Sequence, residues 1–435
     1  MKRLNVLIVA HEFSPEQGSE CSEGWNIVTR LAKYHDVTVL YASGSQFKHN
    51  SYFQAVHRYF ETNNSIPGLT LINIDQPRIT KLISRFNSKF LKISSIGLPV
   101  LYFTAYKYWQ KAVYQKTKRL TKENEFHILH QLTQITFREP GYLWKLGIPF
   151  VWGPTGGTST PPEGFLSILS WKSKLFEKIR SFSNFYQFRF VARIIQANKQ
   201  AKLIYTFTKE DGDLFQKRAT GEIKLMLDAG TTLSEMLQQS KKKSSSVLTA
   251  IWCGQLIERK APSILVKAIA AGQFHADQIK FLIIGDGPLR HSLMQLATEL
   301  DINNIEWIKN VSHDGVFELM SAADFFIHTS YREATSNVIP EALSMGLPVI
   351  CHDANGMSIA INESCGIKIP LVSFAESVAG FQKAIQQFLS DCLYLDQLKK
   401  GATSRTEEIS WDAMAATMAN DYLKIHNENA NTTNK

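Results

Sequence analysis

Cysteine and long apolar runs are both scarce in this sequence, and each shortage excludes a class of protein. The five cysteines are odd in number and widely scattered, and no two of them have the Cys-x-x-Cys spacing. This distribution argues against a disulfide framework or a zinc site and favours reduced thiols in a cytoplasmic protein. Since no apolar run approaches the roughly 20 residues that span a bilayer, we expect no membrane-spanning helix.

The amino-terminal residues, Met1 to Ala10, combine a charged end with an apolar run, as a signal peptide does. The run is short and ends at His11 and Glu12, so a first buried β-strand is the better interpretation. We therefore expect a cytoplasmic protein, either free or peripheral on the inner face of the cytoplasmic membrane.

Acidic residues are missing from a long part of the first half. Between Asp75 and Glu123 there are eleven basic residues and no acidic one, and residues 165–202 carry eight basic residues against Glu177 alone. Aromatic residues interleave with the basic ones over residues 78–122, which is typical of an in-plane helix on an anionic membrane surface. A core helix with a solvated lysine face fits the same pattern. We expect no nucleic-acid partner, because no recognition motif accompanies the charge.

Apolar runs of strand length alternate with helical periodicity along the chain. This alternation predicts an α/β protein with doubly wound sheets. Residues 240–246, rich in serine and lysine, form the clearest linker. They separate a predicted first domain, residues 1–240, from a second, residues 247–408. A last helix is predicted over residues 411–425, followed by a frayed polar tail.

Residues 330–350 carry the most chemical information. Their pattern predicts strand, loop, helix and strand, with Glu333 in the loop at the carboxyl end of a strand and Glu341 in the first helical turns. The unpaired N–H groups of a helix start favour a phosphate, and those of this helix belong to Thr335, Ser336 and Asn337. An anion site beside two carboxylates suits a sugar nucleotide. For an isolated pair of glutamates, the ordinary alternative is two solvated surface residues.

The stretch Glu-Ala-Thr-Ser-Asn-Val-Ile-Pro-Glu-Ala-Leu-Ser-Met-Gly-Leu-Pro-Val-Ile resembles the signature of the family-4 retaining glycosyltransferases (glycosyl transferase group 1). The resemblance implies that Glu333 contacts the donor sugar and Glu341 the nucleotide ribose. It also implies the GT-B fold, in which two Rossmann-like domains face each other across a cleft and the final helix returns to the first domain. Ala334 stands where the family usually has glycine, so we expect a stiffer loop.

A second candidate segment follows the linker. Lys260 lies near a predicted helix start, where a cation can offset the charge of a departing diphosphate without a metal. Residues 254–260 resemble the family's Gly-Arg-Leu to Lys-Gly motif, with Lys260 at the lysine position. Gln255 replaces the usual arginine, which leaves Arg259 as the candidate second cation.

The first half supplies the remaining candidates. Gly18 can let the backbone approach a pyrophosphate, although a tight strand-to-helix turn explains it equally well; its loop resembles the family's Gly-Gly loop, with Ser19 at the second glycine. His130, at the end of a predicted strand, is a candidate for the acceptor or sugar pocket, but a structural role is commoner. Many family members carry an active-site histidine where this chain has the loop of Gly156 and Gly157, so we expect that backbone to face the substrate.

Two further patterns suggest other chemistry. Asp211-Gly212-Asp213 matches the Asp-x-Asp pattern of metal-dependent sugar transferases, but Thr208 ahead of it favours helix capping. Gly285-Asp286-Gly287 lacks the third glycine of a dinucleotide fingerprint. We expect no metal and no cofactor, with a UDP- or GDP-sugar as the donor substrate.

The resemblance implies transfer of a sugar to a hydroxyl of a glycan or lipid-linked acceptor, in surface polysaccharide biosynthesis. Two alternatives stay open: a sugar-nucleotide epimerase of the same fold, and a catalytically inactive, membrane-associated partner protein. Gln255, Ala334 and the missing histidine favour the inactive partner. Retention of both glutamates and of Lys260 argues against it.

Overall fold

The computed structural model describes residues 2–92, 94, 96–166, 169–232, 247–309 and 311–433. The predicted linker, residues 240–246, lies outside the described residues. The chain divides into two compact units: the first comprises Met1–Thr158, Ser183–Asp228 and Trp411–Lys435, and the second comprises Ser159–Phe182 and Ala229–Ser410. The segment Ser159–Phe182, which the sequence analysis included in the first domain, thus groups with the second unit.

The first unit is built on a parallel sheet. Its described strands are β1 (Asn5–Ala10), β2 (Asp36–Ala42), β3 (Leu69–Ile74), β4 (Ile128–Thr133), β5 (Phe150–Thr155), β6 (Ala201–Thr206) and β7 (Glu222–Leu225). Their order in the sheet is β3-β2-β1-β4-β5-β6-β7. The chain adds β2 and β3 on one side of β1 and β4 to β7 on the other, so the strand order reverses between β1 and β4. Doubly wound sheets bind ligands beyond the carboxyl ends of the strands at such a reversal.

The second unit repeats this plan. Its strands within the described ranges are β8 (Leu248–Cys253), β9 (Ile279–Ile284), β10 (Ile305–Ile308), β11 (Phe325–His328), β12 (Val349–His352) and β13 (Gly366–Ile369). They are parallel and lie in the order β10-β9-β8-β11-β12-β13. Here the reversal falls between β8 and β11. The predicted α/β doubly wound architecture is confirmed in both units.

Helices connect the strands. In chain order the described helices are α1 (Ser19–Leu31), α2 (Ser51–Thr62), α3 (Arg78–Asn87), α4 (Pro99–Glu123), α5 (Glu163–Leu166), α6 (Trp171–Phe190), α7 (Ala192–Gln200), α8 (Lys209–Gln216), α9 (Pro262–Gly272), α10 (Arg290–Glu299), α11 (His313–Ser321), α12 (Val338–Ser344), α13 (Met357–Ala360), α14 (Phe374–Ser390), α15 (Cys392–Glu408) and α16 (Trp411–Thr433). Single 3₁₀ turns lie at Ser88–Phe90, Leu143–Lys145 and Glu258–Lys260.

Each unit has its own apolar core. In the first, Leu7 and Val9 of β1 pack with Trp109 and Trp152. In the second, Trp252 of β8 belongs to a cluster with many aliphatic residues of α9 and α14. Full burial of one large apolar side chain stabilises a fold by about 1.5–3 kcal/mol. These cores hold the strand ends, and therefore the loops that follow them, in fixed positions.

The last helix, α16, is anchored to the first unit. Asp412 pairs with Arg30 at 2.9 Å and with Lys33 at 2.7 Å, and the Tyr205 hydroxyl donates to Asp421 Oδ2 at 2.8 Å. The helix continues to Thr433. The helix therefore extends past its predicted end at residue 425 and includes most of the tail that was expected to be frayed.

Candidate active site

Two cations and one carboxylate meet beyond the carboxyl ends of β8 and β11. Arg259 Nη1 donates to both oxygens of Glu333, at 2.7 and 2.8 Å. Lys260 Nζ lies 2.8 Å from Glu333 Oε2 and donates to Ser336 Oγ at 3.1 Å. This ion cluster, Arg259, Lys260 and Glu333, joins the two segments that the sequence analysis selected independently, and it lies at the strand reversal where a ligand is expected.

Glu333 is a strongly ionised carboxylate. Its burial by itself would raise the pKa, but the positive charges of Lys260 and Arg259 outweigh burial and lower the pKa of Glu333 to about 2. A carboxylate with so low a pKa stays charged throughout the neutral range, and it is a weak base. Lys260 is itself buried, so its charge acts on Glu333 with little screening by water.

Hydrogen bonds from the segment after β11 hold the two cations in place. Thr329 Oγ1 donates to the Lys260 carbonyl at 2.7 Å and accepts from Trp252 Nε1 at 3.0 Å. The Tyr331 amide donates to the Arg259 carbonyl at 3.2 Å. These contacts fix the backbone of the 3₁₀ turn, so the two side chains reach Glu333 from a rigid base.

Glycine is required where the loop after β12 reaches this site. The Gly356 amide donates to the Ala334 carbonyl at 3.0 Å. A Cβ at Gly356 would lie 2.2 Å from Thr335 Oγ1 and 2.6 Å from the Ala334 carbonyl. Only glycine permits this approach without a shift of backbone, and the sequence analysis did not select Gly356.

The loop before α12 differs from the prediction at its helix start. Helix α12 begins at Val338 with Asn337 at the N-cap position, and Thr335 and Ser336 precede it in irregular backbone. The structure therefore places Asn337 at the helix start and Thr335 and Ser336 just ahead of it, and the contact of their amides with a phosphate stays a prediction. Ser336 also contributes its hydroxyl, which accepts from Lys260.

Glu341 lies on α12, beside the end of β8. Its Oε1 is 3.4 Å from His313 Nε2. Burial and then the negative charge of Glu341 raise the pKa of Cys253, the last residue of β8, to about 11. Both predicted glutamates are thus near the carboxyl ends of β8 and β11.

Two buried histidines in the second unit were missed by the sequence analysis. His328 ends β11, and burial followed by the charge of Lys260 lowers the pKa of His328 to about 3. His352 hydrogen-bonds through Nδ1 to the Ser330 carbonyl and through Nε2 to Ser377 Oγ, and burial lowers its pKa to about 4. Both are neutral, so neither competes with the ion cluster for an anion.

In the first unit, Gly18 and Ser19 lie at the start of α1. Gly18 has a φ of +59°, and a Cβ there would meet no atom within 4 Å. Helix α1 begins at Ser19, which is exposed. The backbone of this turn is therefore open to a ligand, and its contact with a pyrophosphate stays a prediction.

His130 is a structural histidine, which corrects its assignment to a substrate pocket. Strand β4 extends past it to Thr133, so His130 lies inside the strand and is fully buried. Nδ1 lies 2.6 Å from the Tyr422 hydroxyl and Nε2 lies 2.6 Å from the Gly153 carbonyl. Burial lowers its pKa to about 4. Its ring connects β4 and β5 to α16.

The loop of Gly156 and Gly157 is held by Asp211. The carboxylate of Asp211 accepts from the Thr158 amide at 2.9 Å and from the Gly157 amide at 3.3 Å. Thr208 caps α8 by accepting from the Asp211 amide at 3.0 Å. A Cβ at Gly156 would clash with Asp211 and Phe207, whereas a Cβ at Gly157 would meet nothing within 4 Å. Asp211 is thus a structural acceptor, and the backbone of Gly157 is the accessible part of the loop.

Three glutamates near the amino end of α1 were also missed. Glu12 follows β1 and lies 2.9 Å from His11 Nδ1. Burial followed by the charges of Glu12 and Asp228 raises the pKa of Glu20 to about 8. Glu23 is fully buried, and neither of its oxygens has a hydrogen-bond partner among the described residues; burial raises its pKa well above the ordinary value. The pKa values of Glu20 and Glu23 are therefore raised at this edge of the first unit. Burial acts on Glu12 as well, but its interactions with His11, Tyr52 and Gln134 outweigh burial and lower its pKa.

The basic stretch of residues 78–122 divides into a surface helix and a core helix. On α3, Leu82 and Phe86 are exposed, whereas Tyr106 and Trp109 of α4 are buried. The membrane pattern therefore suits α3, and the ordinary core alternative describes the middle of α4.

Within the described ranges, no group of three or more His, Cys, Asp or Glu side chains is arranged to hold a metal ion. The same part of the chain contains no helix that is long and apolar enough to cross a membrane.

Comparison with known proteins gives a family match in the second half of the chain. Residues 234–405 match the family model described as "Glycosyl transferases group 1". A D-inositol 3-phosphate glycosyltransferase of Streptomyces bingchenggensis (strain BCW-1) is 26% identical over 188 residues, which cover 41% of this chain and 40% of that protein. The chain thus matches about two fifths of the length of the curated relatives.

Solved structures match nearly the whole chain. Anabaena HepE in complex with UDP has a TM-score of 0.58 and 14% identity, over 97% of this chain and 100% of that one. WaaG, a glycosyltransferase involved in lipopolysaccharide biosynthesis, has a TM-score of 0.54 and 16% identity, over 96% of this chain and 99% of that one. At these identities the likeness shows the fold, which is GT-B. The family resemblance and the fold predicted from the sequence are confirmed.

Proposed function

We propose that this chain, which has the GT-B fold and whose residues 234–405 match the glycosyl transferase group 1 family, transfers a sugar from a nucleoside diphosphate sugar to an acceptor hydroxyl with retention of the anomeric configuration. The observation that carries the proposal is the ion cluster of Arg259, Lys260 and Glu333 at the strand reversal of the second unit. A diphosphate leaving group needs cations, and a sugar needs an acceptor for its hydroxyls. The cluster supplies both.

Arg259 and Lys260 are the groups that would stabilise the departing diphosphate. In the transition state the bond between the anomeric carbon and the β-phosphate oxygen breaks, and negative charge grows on the phosphate. Fixed cations in a partly desolvated site stabilise that charge more than water does. Two positive side chains match the charge of the leaving group, and no step needs a metal ion.

Glu333 would orient the sugar by accepting hydrogen bonds from its hydroxyl groups. A carboxylate whose pKa is about 2 is a poor base, and one held by two cations is a poor nucleophile. We therefore assign the acceptor's proton to the departing phosphate oxygen and no covalent intermediate to Glu333. The acceptor oxygen forms its bond to the anomeric carbon on the face that the phosphate leaves, which retains the configuration.

Glu341 is the proposed partner of the nucleotide ribose. It lies on α12 next to the end of β8 and is largely buried, with 18% of its side chain exposed. A carboxylate in this position can accept from both ribose hydroxyls. Of the nucleotides, UDP is favoured, because HepE, which shares the fold, was solved in complex with UDP.

The proposed acceptor is a hydroxyl of a glycan or a lipid-linked sugar in surface polysaccharide biosynthesis, and the proposed location is the cytoplasmic face of a membrane. Helix α6 supports the membrane contact, since its exposed residues are apolar or basic: Trp171, Lys172, Leu175, Phe176, Lys178, Ile179, Phe182, Phe185, Tyr186, Arg189 and Phe190. Such a helix binds anionic lipid through its aromatic face and its basic rim. Its one acidic residue, Glu177, is buried against Arg180 and Arg332.

The test is a calorimetric titration of the purified protein with UDP, GDP and ADP, without added metal. One nucleotide should bind saturably, and Glu341→Ala should weaken its binding by about 1.5–3 kcal/mol, the value of a hydrogen bond to a charged group. Glu318→Ala, which removes a glutamate from neighbouring helix α11, is the matched control and should bind as the wild type does. Absence of binding to all three nucleotides would refute the donor site and favour the inactive partner protein.

The response to an added acceptor distinguishes a transferase from the alternative, an epimerase. A transferase releases nucleoside diphosphate from the sugar nucleotide faster when a membrane extract or glycan acceptor is present. An epimerase converts the sugar nucleotide with no acceptor at all, so an unchanged rate on addition of acceptor would favour it.

A further inference from the structure

Glu333 lies in a loop, residues 330–334, whose contacts come from two separate parts of the chain. The segments that follow β8 and β12 hold most of the loop through the hydrogen bonds described above. The contact at Arg332 comes instead from Glu177 of helix α6, which is 155 residues away in the sequence. Both residues belong to the second unit, because the segment Ser159–Phe182 groups with it. The position of the loop therefore depends on a part of the chain that lies outside the ion cluster.

Glu177 is a buried acceptor that two arginines share. Its side chain is 6% exposed; Oε1 accepts from Arg332 Nη1, and Oε2 accepts from Arg180 Nε at 3.0 Å. Arg180 in turn donates through Nη2 to the Ser159 carbonyl at 2.8 Å. Glu177 is also the one acidic residue of the basic stretch 165–202. The carboxylate is thus fixed from the side of its own helix, and it offers Arg332 an acceptor in a set position.

The residues ahead of α6 are anchored in the second unit by packing. Phe165 and Leu169 belong to its buried apolar cluster, and the ring centroids of Phe165 and Tyr331 are 5.3 Å apart. A Cβ at Gly164 would lie 2.7 Å from the Val372 carbonyl, so the backbone there is in close contact with the segment before α14. Apolar packing and the ion pair therefore hold the start of α6 against the same loop.

Arg332 needs its acceptor because the guanidinium is largely removed from water. The Arg332 side chain is 23% exposed, and a buried charge that loses its partner is strongly unfavourable. If Glu177 were neutral, movement of the loop toward solvent would be the way to hydrate the guanidinium. Since Arg332 and Glu333 are consecutive residues, that movement would also carry Glu333 away from the two cations of the ion cluster.

We propose that Glu177 is a positioning residue: by fixing Arg332, it holds the loop in which Glu333 meets the donor sugar. The contact of Glu333 with the sugar rests on the proposed function. The positioning of the loop does not, and it can be measured in the ligand-free protein. Because Glu177 acts through Arg332, its loss should weaken the sugar contact and spare the diphosphate contacts of Arg259 and Lys260.

The experiment uses three variants of the full-length protein: Glu177→Gln, Arg332→Met and the double variant that combines them. The matched control is Glu408→Gln, which neutralises another glutamate of the second unit that pairs with an arginine, Arg405, on a helix. The Glu408 side chain is 56% exposed, and an exposed pair contributes little to stability.

The first measurement is hydrogen exchange by mass spectrometry on the ligand-free proteins. The Tyr331 amide donates to the Arg259 carbonyl, and the Gly356 amide donates to the Ala334 carbonyl, so the exchange of both amides reports how often the loop opens. We expect exchange at least about tenfold faster in Glu177→Gln and in Arg332→Met, because each lacks one contact that keeps the loop closed. The control should change it less than about twofold.

The second measurement compares binding of UDP with binding of UDP-glucose, with which HepE was also solved. We expect Glu177→Gln to weaken UDP-glucose binding by at least about fivefold, because small misplacements of a contacting group are costly. UDP binding should change less than about twofold. The double variant should bind UDP-glucose no more weakly than the weaker single variant, because Glu177 and Arg332 act through one contact.

Unchanged exchange of both amides in Glu177→Gln would overturn the proposal. Equal losses of UDP and UDP-glucose binding would also overturn it, since a general loss of structure would then explain both. Additive losses in the double variant would overturn the route through Arg332. If Glu177→Gln does not fold, unchanged exchange and unchanged binding in Arg332→Met are the contradicting results. Faster exchange in a protein whose wild type binds neither nucleotide would support the positioning of the loop and refute the donor site.

Discussion

The prediction that tests the ion cluster most severely is Lys260→Met, which removes one charge and keeps the volume of the side chain. In the wild type the cations lower the pKa of Glu333 from 4.5 to about 2 despite burial. A shift of this size corresponds to about 3 kcal/mol of net stabilisation of the ionised form. Lys260 is the larger of the two cationic contributions, and removal of one partner from a buried ion pair typically costs about 3–5 kcal/mol.

We therefore expect Lys260→Met to destabilise the protein by about 2–4 kcal/mol and to lower the melting temperature by roughly 5–10 °C. The matched control is Lys280→Met, which breaks an exposed pair with Glu306 and should cost less than about 1 kcal/mol. The measurement is thermal unfolding by circular dichroism at pH 7. The double variant Lys260→Met/Glu333→Gln should recover part of the loss, because no buried carboxylate is then left with one cation fewer.

The pH dependence of the same unfolding transition tests the direction of the pKa shift of Glu333. A carboxylate with a lowered pKa contributes stability above its unfolded pKa, and this contribution is lost as the pH falls toward about 2. In Lys260→Met this loss should be smaller and should end at a higher pH, because the folded pKa of Glu333 moves toward its ordinary value while the unfolded pKa stays the same. Equal melting temperatures of Lys260→Met and Lys280→Met would refute the reasoning.

Two further predictions concern the first unit. His130→Gln should remove a pH-dependent loss of stability. The wild-type histidine has a pKa of about 4 in the folded protein and about 6.5 in the unfolded chain, so the wild type loses up to about 3 kcal/mol of unfolding free energy as the pH falls from 6.5 to 4. Urea unfolding at several pH values should show a flatter profile for the variant. Asp211→Ala should lower the melting temperature, because the partly buried amides of Thr158 and Gly157 lose their acceptor. A fully buried group left unpaired costs about 1–3 kcal/mol, which is the upper bound for each of these amides. Asp213→Ala, the exposed half of the Asp-x-Asp pattern, should melt as the wild type does. A larger effect of Asp213→Ala than of Asp211→Ala on metal-dependent activity would revive the metal-site interpretation.

The strand, loop and helix order around Glu333 could be predicted because apolar periodicity and helix-starting residues are local signals. The bond between Arg259 and Glu333 could not be predicted from the residues alone, since the two are 74 residues apart. It depends on β8 lying next to β11, which is a property of the strand order. Family resemblance supplied the link that local pattern lacks.

His130 shows the opposite case. Its position at the end of an apolar run suggested a pocket, but β4 continues past it to Thr133. Burial and two hydrogen-bond partners then make it structural. One of those partners, Tyr422, lies on the last helix, and no pattern near residue 130 could reveal that contact.

The most direct test of the proposed function compares the affinity of the wild type and of Glu333→Gln for a nucleoside diphosphate and for the corresponding sugar nucleotide. We expect the wild type to bind the sugar nucleotide more tightly, because Glu333 accepts hydrogen bonds from the sugar. Glu333→Gln should lose this preference and bind the nucleoside diphosphate at least as tightly as the wild type, because Arg259 and Lys260 are released from their carboxylate partner. Weaker binding of the diphosphate in Glu333→Gln, with the preference for the sugar nucleotide intact, would contradict the roles assigned to all three residues.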